Sequence, residues 1–172
     1  MKGKFVEFYA KLHANRPGYG RGDCKATIQH ARQAVIELDA RIALDYGCGK
    51  SDLHDQLMID CDRYDPAIPG IDVMPTSKYD LVTCCDVLEH VPTDEIYPLL
   101  NSIANMTSNA MFVVHHGRAR TRVKLPNGGN IHCTRKGRDW WRDKIAEVFG
   151  HCEVRPARIH RLRTIYQTWM SV

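Results

Sequence analysis

The 172-residue chain is 44% apolar and 26% charged, with a formal net charge of +4, a composition that suits one globular domain able to bury a core without disulfide staples. No apolar run approaches the roughly 18–20 residues of a membrane span, and the stretch from Met1 to Glu7 has no signal-peptide apolar region. The seven cysteines form no Cys-x-x-Cys pair, which speaks against a structural zinc site or a disulfide framework, so a cytoplasmic protein with free thiols and no membrane partner is expected.

Residues 4–12 are expected to be helical, with Phe5, Phe8, Tyr9 and Leu12 at helical spacing. A glycine-rich loop over residues 17–22 precedes a second helix at 27–38, striped by Ile28, Ala31, Val35 and Leu38. Residues 42–46 are a short apolar run bounded by a turn, the mark of a buried parallel strand. A short helix is expected at 51–58 and another buried strand at 79–84. The helix at 93–106 presents Ile96, Leu99, Leu100 and Ile103. Pro98 is awkward in a helix interior, so the regular helix is expected to begin there. Residues 110–115 form a third strand. Residues 138–149 form an amphipathic helix with Trp141, Ile145, Val148 and Phe149 on one face and Gly150 as its cap. Two β-like stretches close the chain, at 153–159 and 163–170. Pro156 cannot donate to a ladder, which assigns the first to a sheet edge. This alternation predicts an α/β fold with a mainly parallel sheet. One domain over 1–172 is expected, with a helical cap segment at 1–39 and the core at 40–172.

Two motifs carry chemistry. Asp45-Tyr46-Gly47-Cys48-Gly49 follows a strand and opens a helix. Glycines there let the backbone approach a ligand closely. Twenty residues after Asp45 stands Asp65, followed by Pro66, where a carboxylate can accept bonds from ribose hydroxyls. A nicotinamide dinucleotide would require a third glycine where Asp52 stands, and that carboxylate repels a pyrophosphate.

The second motif is Tyr79-Asp80-Leu81-Val82-Thr83-Cys84-Cys85-Asp86-Val87-Leu88-Glu89-His90-Val91-Pro92. With it, residues 40–116 resemble the class I S-adenosylmethionine-dependent methyltransferases of the group with Asp-Val-Leu-Glu-His-Val after the fourth strand of that fold. The resemblance implies a three-layer Rossmann-like fold, a mainly parallel sheet with an antiparallel C-terminal strand, and methyl transfer from S-adenosylmethionine. It places Gly47, Cys48 and Gly49 against the methionine part and Asp45 at its amino group. Asp65, with Pro66 beside it, belongs at the ribose, and Asp72 and Val73 at the adenine. Cys85 or Asp86 belongs near the ammonium and methyl, and Tyr19 closes over the cofactor. The chain departs from the family between Asp65 and Tyr79, where 13 residues are too few for a helix, a strand and two turns. The second crossover helix is therefore expected to be missing and the third strand rudimentary.

Methyl transfer needs positioning, plus a base where the nucleophile must lose a proton. Candidate bases are His90, His115 and His116, since imidazole titrates near neutrality. An alternative is a metal set of Asp86, Glu89, His90 and His132, whose oxygens and imidazoles suit Mg²⁺ or Mn²⁺. The acceptor is expected to be small or anionic. Residues 1–117 carry 11 Lys+Arg against 16 Asp+Glu, while residues 118–172 carry 13 against 4. That basic third leaves a nucleic-acid methyltransferase open as an alternative, beside a binding module for S-adenosylmethionine without turnover.

Overall fold

A computed structural model describes residues 3–21, 24–155 and 162–170. The chain begins with α1 (Val6–Asn15) and α2 (Cys24–Glu37), then runs through β1 (Ile42–Tyr46), the one-turn α3 (Leu53–Gln56) and β2 (Asp60–Tyr64). After a loop come β3 (Leu81–Cys85), a 3-10 turn at Leu88–His90, α4 (Thr93–Ala104) and β4 (Ala110–His115). The chain continues with α5 (Arg138–Phe149), β5 (Glu153–Arg155) and β6 (Arg163–Gln167).

The six strands form one sheet in the order β2-β1-β3-β4-β6-β5. The first four are mutually parallel, with Leu44 beside Asp62 and Val82, and Cys84 beside Phe112. β6 runs antiparallel between β4 and β5, with Phe112 opposite Tyr166. The central strands β1, β3 and β4 are almost wholly buried, as unbroken apolar runs require when both faces are covered. Alternate side chains serve two cores. Leu44, Val82, Cys84, Phe112, Val114 and Tyr166 pack with Ile96, Leu100 and Ile103 of α4 and Trp141 and Ile145 of α5. On the other face Ala43, Leu81, Met111, Val113 and Ile165 meet Ala31 and Ala34 of α2. The result is the three-layer fold expected from the sequence. Among the described residues no helix is long and apolar enough to cross a membrane.

Three local features bear on the site. Residues 66–78 hold neither helix nor strand. Asp65 N–H bonds Ile71 O at 2.9 Å, and the Tyr79 hydroxyl donates to Asp62 at 2.7 Å, which ties this shortened crossover to the β2 edge. The crossover helix is absent as expected, and the third strand expected in rudiment is missing altogether among the described residues. Pro98 corrects another expectation, because α4 starts five residues earlier, at Thr93. The lost amide bond is offset by the buried face of Ile96, Leu100 and Ile103. The edge position foreseen for the stretch at 153–159 holds for β5, although Pro156 itself lies outside the described residues. Gly150 caps α5 in the left-handed region, φ 77°.

Candidate functional site

The chain leaves β1 toward β2 on one side, while β3 and β4 lie on the other. Such a reversal opens a crevice at the carboxyl ends of the strands. There the structure has a cavity of about 680 Å³, within the range of small-molecule sites.

One wall is built by backbone. Gly47 and Gly49 adopt φ of 71° and 55°, and a Cβ at either would stand 2.5 Å from Val87 Cγ2 or from Gly20 O respectively. No other residue fits such turns without strain. The loop's amides are spent internally. Gly47 and Cys48 N–H both reach Tyr64 O, at 2.7 and 3.2 Å, and Gly49 N–H donates to Asp65 Oδ2 at 2.9 Å. Asp65 Oδ1 accepts Ala67 N–H at 2.8 Å. α3, at four residues, adds little macrodipole. A pyrophosphate therefore finds no ring of free amides here, which reinforces the objection raised by Asp52.

Asp45 is buried at the end of β1. Its Oδ1 accepts the Thr83 hydroxyl at 3.3 Å, and its buried Oδ2 has no hydrogen-bond partner. Burial pushes this carboxyl up to about 7, against the pull of the Thr83 bond and of Arg63. The N-terminal segment closes the wall from above. Lys50 N–H bonds Gly20 O at 2.7 Å and Lys50 Nζ bonds His13 O at 2.6 Å. Tyr19 stacks on Tyr9 with ring centroids 6.5 Å apart.

The opposite wall is built by side chains. Asp86 turns the chain out of β3 at φ 55° and pairs with Arg163 of β6 at 2.9 Å. Glu89 is fully buried. Its Oε1 accepts His115 N–H at 3.1 Å, while its Oε2 has no hydrogen-bond partner. Burial, then the charge of Asp86, pushes its carboxyl up to about 8. His90 Nδ1 lies 3.1 Å from Ile131 O and 3.2 Å from the Tyr9 hydroxyl, and burial pushes the imidazole down to about 3. His132 Nδ1 lies 2.7 Å from Gly117 O. Its ring stands edge-to-face 4.8 Å from His90 and 4.9 Å from His115. Phe5 and Val6 at the start of α1, with Pro92, Pro98 and Leu99, add apolar lining to the cavity.

Of the residues singled out in the sequence, the cavity gathers Tyr19, Asp45, Gly47, Cys48, Gly49, Asp65, Pro66, Cys85, Asp86, Glu89, His90, His115 and His132. Three stand elsewhere. Asp72 is exposed and accepts Gly70 N–H at 3.2 Å, and Val73 is 83% exposed. His116 turns under α5, with Nδ1 3.0 Å from Lys136 O and Nε2 3.3 Å from the Tyr166 hydroxyl. Arg118, Arg120, Arg122 and Lys124 are exposed and do not line the cavity. Sequence reasoning missed Tyr9 and Arg163 as lining residues. Tyr9 was legible only as part of an apolar stripe, and Arg163 stood as one of many basic residues near the C-terminus.

No known family profile matches the sequence, and no curated protein sequence matches it. The fold does match solved structures. Mitomycin 7-O-methyltransferase MmcR aligns at a TM-score of 0.61 and 12% identity, over 91% of this chain and 59% of that one. The DhpI-SAM-HEP complex aligns at 0.61 and 14% identity, over 95% and 93% of the two chains. The methyltransferase domain of bacterial CtHen1-CN aligns at 0.61 and 15% identity, over 83% and 97%. This chain thus spans about three fifths of the first of these proteins and nearly all of the other two. At such identities the likeness establishes the fold, a Rossmann-like methyltransferase fold.

Proposed function

We propose that the protein binds S-adenosylmethionine and transfers its methyl group to a small acceptor. The observation that carries this reading is the wall at β1 and β2. A buried carboxyl oxygen on Asp45 has no hydrogen-bond partner, and Asp45 lines the cavity with a glycine bend whose amides are spent on Tyr64 O and Asp65. An ammonium group suits that oxygen, and a ribose suits Asp65, which has lone pairs left beside its two amide bonds. The absence of an anion nest suits a cofactor without phosphate.

In this reading Asp45 receives the amino group, and Gly47, Cys48 and Gly49 lie along the methionine portion. Asp65 and Pro66 hold the ribose, and Tyr19 covers the nucleoside from α1's side. Cys85 and Asp86 stand beside the methyl group. S-adenosylmethionine supplies an activated methyl on a positive sulfonium, and the residues supply placement. The acceptor enters along Phe5, Val6, Pro92 and Leu99 and meets Glu89, His90 and His115, the proton-accepting groups of the far wall. His116 and the exposed arginines stand off the cavity, so we assign them no part in the reaction.

Calorimetry with S-adenosylmethionine and S-adenosylhomocysteine tests the reading. Binding that is lost in Asp65→Ala and weakened in Asp45→Asn is expected. No heat with either compound removes the proposal.

A further inference from the structure

We propose that the cavity selects its acceptor by charge, admitting an apolar hydroxyl or amine compound that is neutral or cationic and excluding carboxylates, phosphates and sulfates. That this ligand is the methyl acceptor rests on the proposed function; the charge selection itself does not.

The cavity is acidic within a basic chain. Asp45, Asp65, Asp86, Glu89 and Glu95 line it, against Arg163 as the one lining lysine or arginine among the described residues. Arg163 is paired with Asp86 at 2.9 Å. Burial pushes His13, His90 and His132 down, toward the neutral ring, so these imidazoles do not offset the remaining acids. The chain carries +4 overall, yet Arg118, Arg120, Arg122 and Lys124 stand outside the cavity. A cleft lined by one sign of charge focuses its field on whatever enters.

Glu89 gives the selection its point of contact. It is fully buried and lines the cavity, its Oε1 accepts His115 N–H at 3.1 Å, and its Oε2 has no hydrogen-bond partner. A buried acceptor left unpaired is costly, and a donor on an incoming molecule recovers that cost. Burial, then the charge of Asp86, pushes the carboxyl up to about 8. A hydroxyl or amine donor favours its ionised form, and a cation does so more strongly. An anion meets only Arg163, which already serves Asp86. Glu95 adds a partly exposed carboxylate that accepts Lys4 N–H at 3.0 Å. Phe5, Val6, Pro92 and Leu99 supply lining for an apolar body. On the proposed function the cofactor takes Asp45 and Asp65, which leaves Glu89 and Glu95 to the acceptor. The small or anionic acceptor expected from the sequence is thereby narrowed to a small one without anionic groups.

Saturation-transfer NMR titrations of the protein alone test this with three phenols of matched size, para-propylphenol (neutral), tyramine (cationic) and para-hydroxyphenylpropanoate (anionic). The propanoate should bind at least about tenfold more weakly than the other two. Glu89→Gln should reduce the tyramine-to-propanoate ratio at least about threefold, and where that variant folds poorly Glu95→Lys should shift the ratio in the same direction. Equal binding of all three phenols, no binding by any of them, or a ratio that neither variant reduces overturns the proposal. Because no S-adenosyl compound is present, a failure of cofactor binding leaves the charge selection standing, and binding indifferent to charge leaves the cofactor reading standing.

Discussion

The two walls of the cavity are made of different material. At β1 and β2 the contacts are backbone amides closing on Tyr64 O and Asp65, with glycines where a side chain would collide. At β3 and β4 they are side chains, Glu89 and three histidines, with a buried carboxylate oxygen that has no donor. A wall made of backbone is fixed by conformation, so its substitutions should act through shape. A wall made of side chains is fixed by rotamers and tautomers, so its substitutions should act through charge and hydrogen bonding.

The largest effect is expected at Gly49. An alanine there must hold φ near 55° with its Cβ 2.5 Å from a backbone oxygen, and the left-handed geometry alone costs about 1–3 kcal/mol. Gly49→Ala should lower the denaturation midpoint and abolish the thermal shift from S-adenosylhomocysteine. A variant as stable and as responsive as the parent would mean that this wall yields. Asp65→Ala comes next. It removes the acceptor for Gly49 and Ala67 N–H together with the proposed ribose contact, at about 1.5–3 kcal/mol for bonds to a charged group. S-adenosylhomocysteine affinity should fall tenfold or more (the ~1.4 kcal/mol equivalence) by calorimetry.

A third expectation concerns pH. Asp45 titrates near 3.8 when unfolded and at about 7 when folded. Within that window the folded chain keeps a proton that the unfolded chain has released, so this group lowers stability as pH rises from about 4 to about 7. An ammonium ligand needs the ionised form. S-adenosylhomocysteine affinity should therefore rise roughly tenfold between about pH 6 and about pH 8, and Asp45→Asn should flatten that rise. A flat profile in the unaltered protein would separate Asp45 from the ligand. The smallest effect belongs to Asp72. Exposed on the shortened crossover, its alanine variant should keep affinity within about twofold, under ~0.5 kcal/mol. A larger loss would return the adenine contact to this loop.

Much of the fold was legible from local pattern. The strand at 42–46 and the helix at 138–149 with its Gly150 cap were read at their observed limits, because buried strands and amphipathic helices announce themselves within one element. The missing crossover was legible by counting, since 13 residues cannot hold what that fold usually places there. Pro98 misled, because a local rule against interior proline was outweighed by the buried face of α4. Adenine-side contacts at Asp72 and Val73 were inferred from a resemblance, and the structure sets both in solvent.

Sequence by itself determined the alternation of strands and helices, the glycine bend and the carboxylate that follows it, since each depends on neighbours within a few residues. Only the tertiary structure decided which lone pairs face one another. Tyr9 reaches His90 across 81 positions, and His90 meets Ile131 across 41. Proton placement on an imidazole follows from which carbonyl lies beside it, and that carbonyl comes from a distant part of the chain.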